Sequence, residues 1–222
     1  MNTLYHANYR CTIENDAMRD DDDNNFKLLI HDLDDFSAKG LLPGTGEGIR
    51  VFGAHSARGC VGCFDCWIKT PGRCFLDDSM RPLPELLSKC EGLILISELV
   101  YGGYSPDMKA ALDRLIPAML PFFEIVEGKS AHMPRGRVSP LGNITNYFYR
   151  YENTGGISIE GKNNNSLKSL AREYLEASEN LLPEGEAELM KRVAAATADN
   201  FRAKSHEVIF IGDKMNLSEV EL

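Results

Sequence analysis

The sequence predicts an α/β protein built around a mainly parallel sheet, and two observations carry this prediction. Short apolar runs alternate with segments of helical spacing along most of the 222 residues. The clearest run, at 92–97, is apolar almost throughout, which is typical of a strand covered on both faces of a parallel sheet. A composition of 43% hydrophobic and 26% charged residues is that of an ordinary globular domain.

The strands are predicted from their apolar runs and from the glycine-rich or polar segments that bound them. A glycine-rich link at 34–48 separates the first two strands, and a segment rich in Gly and Asn at 153–165 is predicted to be a loop. The predicted strands are 26–31, 49–54, 92–97, 144–149 and 207–212.

The helices are predicted from apolar residues that recur on one face. The sharpest boundaries belong to the helix that follows the third strand: Ser105 and Pro106 are typical of a helix start, and Pro121 is expected to end it. Its apolar stripe runs from Met108 to Met119. The predicted helices are 80–90, 105–120, 166–182 and 186–204.

The domain prediction is an acidic, flexible leader at 1–25 and a single domain at 26–222. The net charge of −9 argues against nucleic acid and anionic membranes as partners. The chain has no run of about 18 apolar residues and no secretory signal pattern, so a cytoplasmic protein without a membrane helix is expected.

Four of the six cysteines form the most specific local motif, Cys60-x2-Cys63-x2-Cys66-x7-Cys74. Two-residue spacings let a tight loop present successive thiolates to one centre. A turn at 71–72 can then fold the chain back, so that the fourth cysteine closes the site. Four thiolates can bind zinc or a [4Fe–4S] cluster. The alternatives are that the cysteines bind nothing, or that a pair such as Cys63 and Cys66 acts as a redox couple.

A second candidate site is the loop that follows the third strand. In open α/β sheets, ligands bind outside the carboxyl ends of the strands. Tyrosines here can stack on a planar ring, glycines allow close backbone approach, and serines offer small polar contacts, a combination that suits a flavin. The alternative is that the tyrosines cap the core. The candidate residues are Ser97, Tyr101, Gly102, Gly103, Tyr104 and Ser105.

Segments 62–74, 77–78, 101–105, 108–114 and 128–135 together resemble the flavodoxin-like NAD(P)H-dependent FMN reductase and iron–sulfur flavoprotein superfamily, the multimeric flavodoxin group. The resemblance covers about residues 26–212. It implies a three-layer sandwich with a five-stranded parallel sheet of order 2-1-3-4-5, FMN at the carboxyl edge, and a homodimer or homotetramer.

By the pattern of that family, the Tyr101–Ser105 loop would flank the flavin ring. Hydride or electrons would pass from NAD(P)H to a small-molecule acceptor. Cys60, Cys63, Cys66 and Cys74 would be the cluster ligands in its iron–sulfur branch. No side chain is assigned as catalytic.

The sequence departs from the family after the first strand. Asp32, Asp34 and Asp35 stand where the family has a phosphate-binding loop, and the 15-residue link at 34–48 is too short for that loop and a long helix. The chain thus resembles a short subgroup with a degenerate phosphate loop. Two functions follow: an FMN-dependent oxidoreductase, or a flavodoxin-like protein without flavin whose cysteines bind metal or sense redox state.

Three further predictions concern residues that are not candidate ligands. Asp113 and Arg114 are interpreted as an exposed or interface ion pair, and Trp67 as a packing residue. Phe122 and Phe123 are expected to form an exposed apolar patch for dimerisation.

Overall fold

The structure is a computed structural model that describes residues 25–34, 38, 48–135, 141–150 and 185–213. Most of the predicted leader, the predicted loop at 153–165 and the predicted helix at 166–182 lie outside the described residues.

Eight strands are described, in two sheets. In chain order they are β1 (Lys27–His31), β2 (Ile49–Gly53), β3 (Gly92–Val100), β4 (Gly103–Tyr104), β5 (Met119–Val126), β6 (Lys129–Pro134), β7 (Leu141–Arg150) and β8 (Ala203–Asp213).

The main sheet has the strand order β2-β1-β3-β7-β8, and each neighbouring pair in it is parallel. When these five strands are counted along the chain, the order is 2-1-3-4-5, which confirms the predicted flavodoxin-like sheet. The short β4 pairs antiparallel with β3. β3, β7 and β8 extend beyond their predicted ranges, whereas β1 and β2 agree with theirs to within one residue.

Four α-helices and two 3-10 turns are described with these strands. The helices are α1 (Asp65–Ile68), α2 (Leu83–Lys89), α3 (Pro106–Asp113) and α4 (Glu186–Phe201). The 3-10 turns are Ala54–Ser56 and Ile116–Ala118. In the described part of the chain, no helix is long and apolar enough to span a bilayer.

Both faces of the main sheet are buried, as a three-layer fold requires. On the first face, Leu28 and Leu95 pack in one cluster with apolar residues of α2 and α3. Farther along this face, Phe148 packs with Met190 of α4. On the second face, Leu29 and Ile96 are also fully buried.

The predicted helix at 105–120 is wrong at its carboxyl end. α3 ends at Asp113, a 3-10 turn follows at Ile116–Ala118, and Met119 already belongs to β5. Pro117 accounts for the early end, since proline lacks the backbone N–H that would donate to the Asp113 carbonyl oxygen in a continuing α-helix. The apolar stripe that reached Met119 therefore spans three elements.

The antiparallel hairpin of β5 and β6 was not predicted from the sequence. Its turn is formed by Glu127 and Gly128, which have φ values of 50° and 79°. Positive φ at both central residues is typical of a two-residue hairpin turn. Phe122 and Phe123 lie on this hairpin and are each 64% exposed, which confirms their predicted exposure. A role in dimerisation stays a prediction.

The boundary between α4 and β8 also differs from the prediction. α4 ends at Phe201, and Lys204 lies in β8 instead of the predicted helix. Arg202 caps the helix in a left-handed conformation with φ of 56°, so the chain turns directly into the strand.

Gly142 is where the β7 backbone meets the segment before β3, and we expect that no side chain fits there. A Cβ on Gly142 would lie 2.3 Å from the Glu91 carbonyl oxygen, whereas a Cβ on Gly59 would meet nothing within 4 Å. Gly142→Ala should lower the free energy of unfolding by about 1–3 kcal/mol, measured by urea denaturation. Gly59→Ala, the matched control, should change it by less than about 0.5 kcal/mol. Equal stability of the two variants would contradict this packing.

Candidate functional site

A buried carboxylate lies at the carboxyl edge of the main sheet. Asp32 follows β1 directly and is 6% exposed. It accepts hydrogen bonds from the Glu98 backbone N–H at 3.0 Å and from the Tyr149 hydroxyl at 2.8 Å. The Ser97 hydroxyl lies 3.1 Å away, and the Ser105 hydroxyl also donates to this carboxylate. Asp32 therefore joins the ends of β1, β3 and β7 to the start of α3.

Ser97 and Ser105, two of the predicted flavin contacts, face inward. They are 0% and 5% exposed. Ser105 caps α3, because its hydroxyl oxygen accepts from the Met108 backbone N–H at 3.1 Å. The Ser105 backbone N–H in turn donates to the Ser97 hydroxyl at 3.1 Å. These two residues therefore stabilise the carboxyl edge of the sheet through buried hydrogen bonds.

The predicted loop after β3 is a tight hairpin turn whose outer residue is Tyr101. Tyr101 and Gly102 have φ values of 50° and 76°, and Tyr101 is 95% exposed. Gly102 donates its backbone N–H to Glu186 of α4 at 2.9 Å, and Arg150 pairs with the same carboxylate. The turn is thus held in place while its aromatic ring faces solvent.

The other two predicted contacts lie on the inner side of this turn. Gly103 belongs to β4 and pairs with Val100 of β3. The Tyr104 hydroxyl donates to Asn146 at 2.7 Å, and its ring centroid lies 5.2 Å from that of Phe148. Burial raises the pKa of Tyr104 to about 12, so the phenol stays protonated at neutral pH. Of the six candidates, Tyr101 presents a ring outward.

The described part of this edge fits a planar ring better than it fits a phosphate. Tyr101 offers a surface for stacking. The hydroxyl and N–H donors that converge here are directed at Asp32, and the Arg150 guanidinium is paired with Glu186. These donors therefore do not fit the phosphate of FMN.

The four cysteines of the motif line one pocket. Cys60 and Cys63 are exposed, whereas Cys66 and Cys74 are half-buried. The pocket wall also includes Arg114 and apolar residues such as Phe64 and Phe75. Gly62 and Phe64 have φ values of 66° and 61°, and these left-handed conformations turn the chain sharply around the motif. The structure thus brings together the residues that the spacing suggested.

The pKa of the Cys66 thiol depends on the charges of the other cysteines in this pocket. Burial raises the pKa of Cys66, and the neighbouring Cys74, Cys60 and Cys63 raise it further because thiolates repel one another. Among the described residues, no three Cys, His, Asp or Glu side chains are arranged around a metal position. A metal ion would therefore require the cysteine side chains to reorient.

A buried arginine stabilises the cysteine segment. The prediction that Asp113 and Arg114 form an exposed or interface ion pair is therefore wrong. Arg114 is 1% exposed and forms a two-pronged ion pair with Asp78 at 2.5 and 2.9 Å. It also donates to the carbonyl oxygens of Arg58 at 3.0 Å and Leu76 at 3.2 Å, on either side of the motif. Burial of Asp78 would raise the pKa of its carboxyl, but the hydrogen bonds and the charge of Arg114 lower this pKa below its ordinary value.

Trp67 fixes the other side of the same segment, in agreement with its predicted packing role. Its indole N–H donates to the Met119 carbonyl oxygen at 2.9 Å. Its ring centroid lies 5.5 Å from that of Phe64 and 5.4 Å from that of His132 on β6. The cysteine segment is therefore packed against the β5–β6 hairpin.

Comparisons with known proteins found matches in solved structures. No protein-family model and no curated protein matches the chain. An NADPH-quinone reductase from P. pentosaceus is 10% identical, with a TM-score of 0.44 over 87% of this chain and 92% of its own. An FMN-dependent NADH-azoreductase from Bacillus anthracis, solved with FMN, is 12% identical, with a TM-score of 0.46 over 88% and 92%. Another azoreductase from Bacillus anthracis is 12% identical, with a TM-score of 0.46 over 87% and 91%.

His55 connects the chain after β1 to α3, beside the carboxyl edge. Its Nδ1 lies 3.0 Å from the Asp107 carboxylate, and its Nε2 contacts the Leu33 carbonyl oxygen. Burial alone would lower the pKa of His55. The two acceptors, together with the charge of Asp32, raise it above its ordinary value of 6.5. Both ring nitrogens face acceptors, so the geometry suits the protonated imidazolium.

We expect stability to depend on pH through this histidine. Because the pKa is raised in the folded state, the contribution of His55 is complete below about pH 6.5 and is lost as the pH rises through the folded value. Urea midpoints measured from pH 5.5 to 8.5 should fall less steeply with pH in His55→Gln than in the wild type. His206→Gln, which changes an exposed histidine on β8, is the control. Identical slopes for wild type and His55→Gln would contradict the expectation.

Proposed function

We propose that this protein is a flavin-dependent oxidoreductase that holds the flavin ring against the Tyr101 turn. The observation that supports this is the position of an exposed aromatic ring at the carboxyl edge. The strand order reverses between β1 and β3, and ligands of open α/β sheets bind at such a reversal. Tyr101 follows β3 at this edge, and its ring is 95% exposed.

The chain contributes a fixed platform to the proposed site. Glu186 and Arg150 hold the Gly102 backbone, while Ser97, Tyr104 and Ser105 support the turn from the inner side. A Cβ on Gly102 would lie 2.8 Å from the Leu189 side chain, so glycine permits the close packing of α4 under the turn. Tyr101 can therefore set the orientation of a ring without moving the loop that carries it.

A bound flavin would supply hydride and electron transfer between NAD(P)H and a small-molecule acceptor. FMN is the flavin that the resemblance implies. We assign no acid or base to the protein, whose part is to bind and orient the ring. We further propose a homodimer or homotetramer, because Phe122, Phe123 and Ile125 expose apolar surface on the β5–β6 hairpin.

Removing the aromatic ring of Tyr101 should weaken flavin binding. Tyr101→Ala should raise the Kd of riboflavin or FMN by about three- to tenfold, because aromatic stacking contributes about 0.5–1.5 kcal/mol. Tyr101→Phe retains the ring and should stay within about twofold of the wild type. Quenching of flavin fluorescence measures both constants.

Phe75→Ala is the matched control, since it removes an exposed aromatic ring from the cysteine segment and not from the sheet edge or from the proposed oligomer surface. A wild-type protein that quenches neither flavin would overturn the proposed function. An unchanged Kd in Tyr101→Ala would overturn the assigned position of the ring.

The cysteine pocket supports a second candidate function, in which the protein binds metal or senses redox state without a flavin. The observation that favours it is the convergence of four cysteines on one pocket. Thiolates in this number bind zinc or a [4Fe–4S] cluster. The exposed Cys60 and Cys63 lie on the turns around Gly62, where side chains can reorient toward Cys66 and Cys74.

Purification without oxygen, followed by metal analysis, tests this second function. We expect about four iron atoms per chain for a cluster, or about one zinc ion, and a loss of most of that metal in Cys66→Ser and Cys74→Ser. Cys90→Ser is the control, because Cys90 is buried beside Leu87 and outside the pocket. Metal-free wild-type protein, or full metal content in Cys66→Ser, would exclude this site.

A further inference from the structure

The donors at the carboxyl edge of the sheet converge on a group that belongs to the protein itself. Four separate donors reach the two oxygens of Asp32: three hydroxyls and one backbone N–H. They come from β3, β7 and the N-cap of α3. Hydroxyls and backbone N–H groups beside a helix N-terminus are the donor set with which proteins bind phosphate and other anions.

Three of the donors are directed at the carboxylate, and the Ser97 hydroxyl lies between Asp32 at 3.1 Å and the Glu98 carbonyl oxygen at 3.0 Å. The Ser105 hydroxyl accepts from the Met108 N–H and donates its single proton to Asp32. The Tyr149 hydroxyl is 2.8 Å from one carboxylate oxygen, and the residue is 1% exposed. Asp32 thus accepts hydrogen bonds from several elements at once, as a bound anion would.

The cationic groups described near this edge are also engaged within the protein. Arg150, at the end of β7, is paired with Glu186. His55 places its two ring nitrogens on Asp107 and on the Leu33 carbonyl oxygen. A phosphate that approached Asp32 would therefore meet a negative charge and donors whose protons are already directed elsewhere.

We propose that Asp32 is a built-in anion, which takes the place that the edge donors would otherwise offer to a ligand phosphate. The edge then selects a planar redox ligand without a phosphate, such as riboflavin or a quinone, over FMN. This selectivity rests on the proposed flavin function. The occupation of the anion site by Asp32 does not rest on it and has its own test.

The selectivity is tested by titrating riboflavin and FMN into the wild type and into Asp32→Ala. We expect the wild type to bind riboflavin at least as tightly as FMN. Asp32→Ala removes the negative charge and frees the donors, so the Kd of FMN should fall by about tenfold while that of riboflavin changes by less than about threefold. Asp77→Ala, which changes an exposed carboxylate, should leave both constants unchanged. Wild-type preference for FMN by about tenfold or more would overturn the selectivity.

The anion site is tested without flavin by thermal unfolding of the same proteins in sodium acetate, in inorganic phosphate and in chloride at matched ionic strength. Asp32→Ala should be less stable than the wild type, and acetate or phosphate should raise its Tm by several degrees over chloride, because either anion can accept from the vacated donors. The wild type and Asp77→Ala should show no such difference. Equal Tm values of Asp32→Ala in all three salts would overturn the built-in anion.

Asp32→Asn serves where the alanine variant fails to fold, since it keeps the shape of the side chain and removes its charge. In that variant the Kd of FMN should still fall relative to that of riboflavin, and an unchanged ratio would count against the inference. If the wild type binds neither flavin, the proposed function and the ligand selectivity fail together. The rescue of Asp32→Ala by acetate then decides alone whether Asp32 fills an anion site.

Discussion

The carboxylate of Asp32 holds together the edge of the sheet on which the proposed site depends. A parallel sheet leaves the carboxyl ends of its strands at one edge, and here three of those ends, with the start of α3, are joined through one side chain. Each donor that lost this partner in the buried edge would cost about 1–3 kcal/mol. The positions of Ser97, Ser105 and Tyr149 therefore depend on the Asp32 side chain.

That constraint shapes what the edge can bind. The inner part of the β3–α3 connection is filled by the Asp32 network and by Tyr104, which packs on Phe148. The outer part is a tight turn that exposes Tyr101 and is fixed by Glu186. In the described part of the chain, this edge presents the exposed ring of Tyr101 beside the buried Asp32 network, and the proposed preference for flat ligands of low charge follows from that arrangement.

The cysteine segment depends on a different interaction, the buried ion pair of Arg114 and Asp78. The same guanidinium reaches carbonyl oxygens on both sides of the motif, so it fixes where the segment enters and leaves the pocket. Removing one partner of a buried pair leaves an uncompensated charge and costs about 3–5 kcal/mol. The cysteines at the pocket mouth are exposed, so the segment combines a rigid base with accessible thiols.

Local patterns along the chain determined the five strands of the main parallel sheet, the start of α3 at Ser105 and the grouping of the four cysteines, because periodicity, capping and spacing act between residues close in sequence. Tertiary structure alone decided which partner each polar group found. Asp32 meets Ser97, 65 positions away, and Tyr149, 117 positions away. Arg114 meets Asp78, 36 positions away in the chain, and this ion pair buries a residue that the helix pattern had indicated to be exposed.

The β5–β6 hairpin carried a local signal, the Glu127–Gly128 turn, but the apolar stripe concealed its first strand. Hydrophobic spacing reports which face of an element is buried, whereas hydrogen bonds between distant strands arise only when the sheet order brings their ends together.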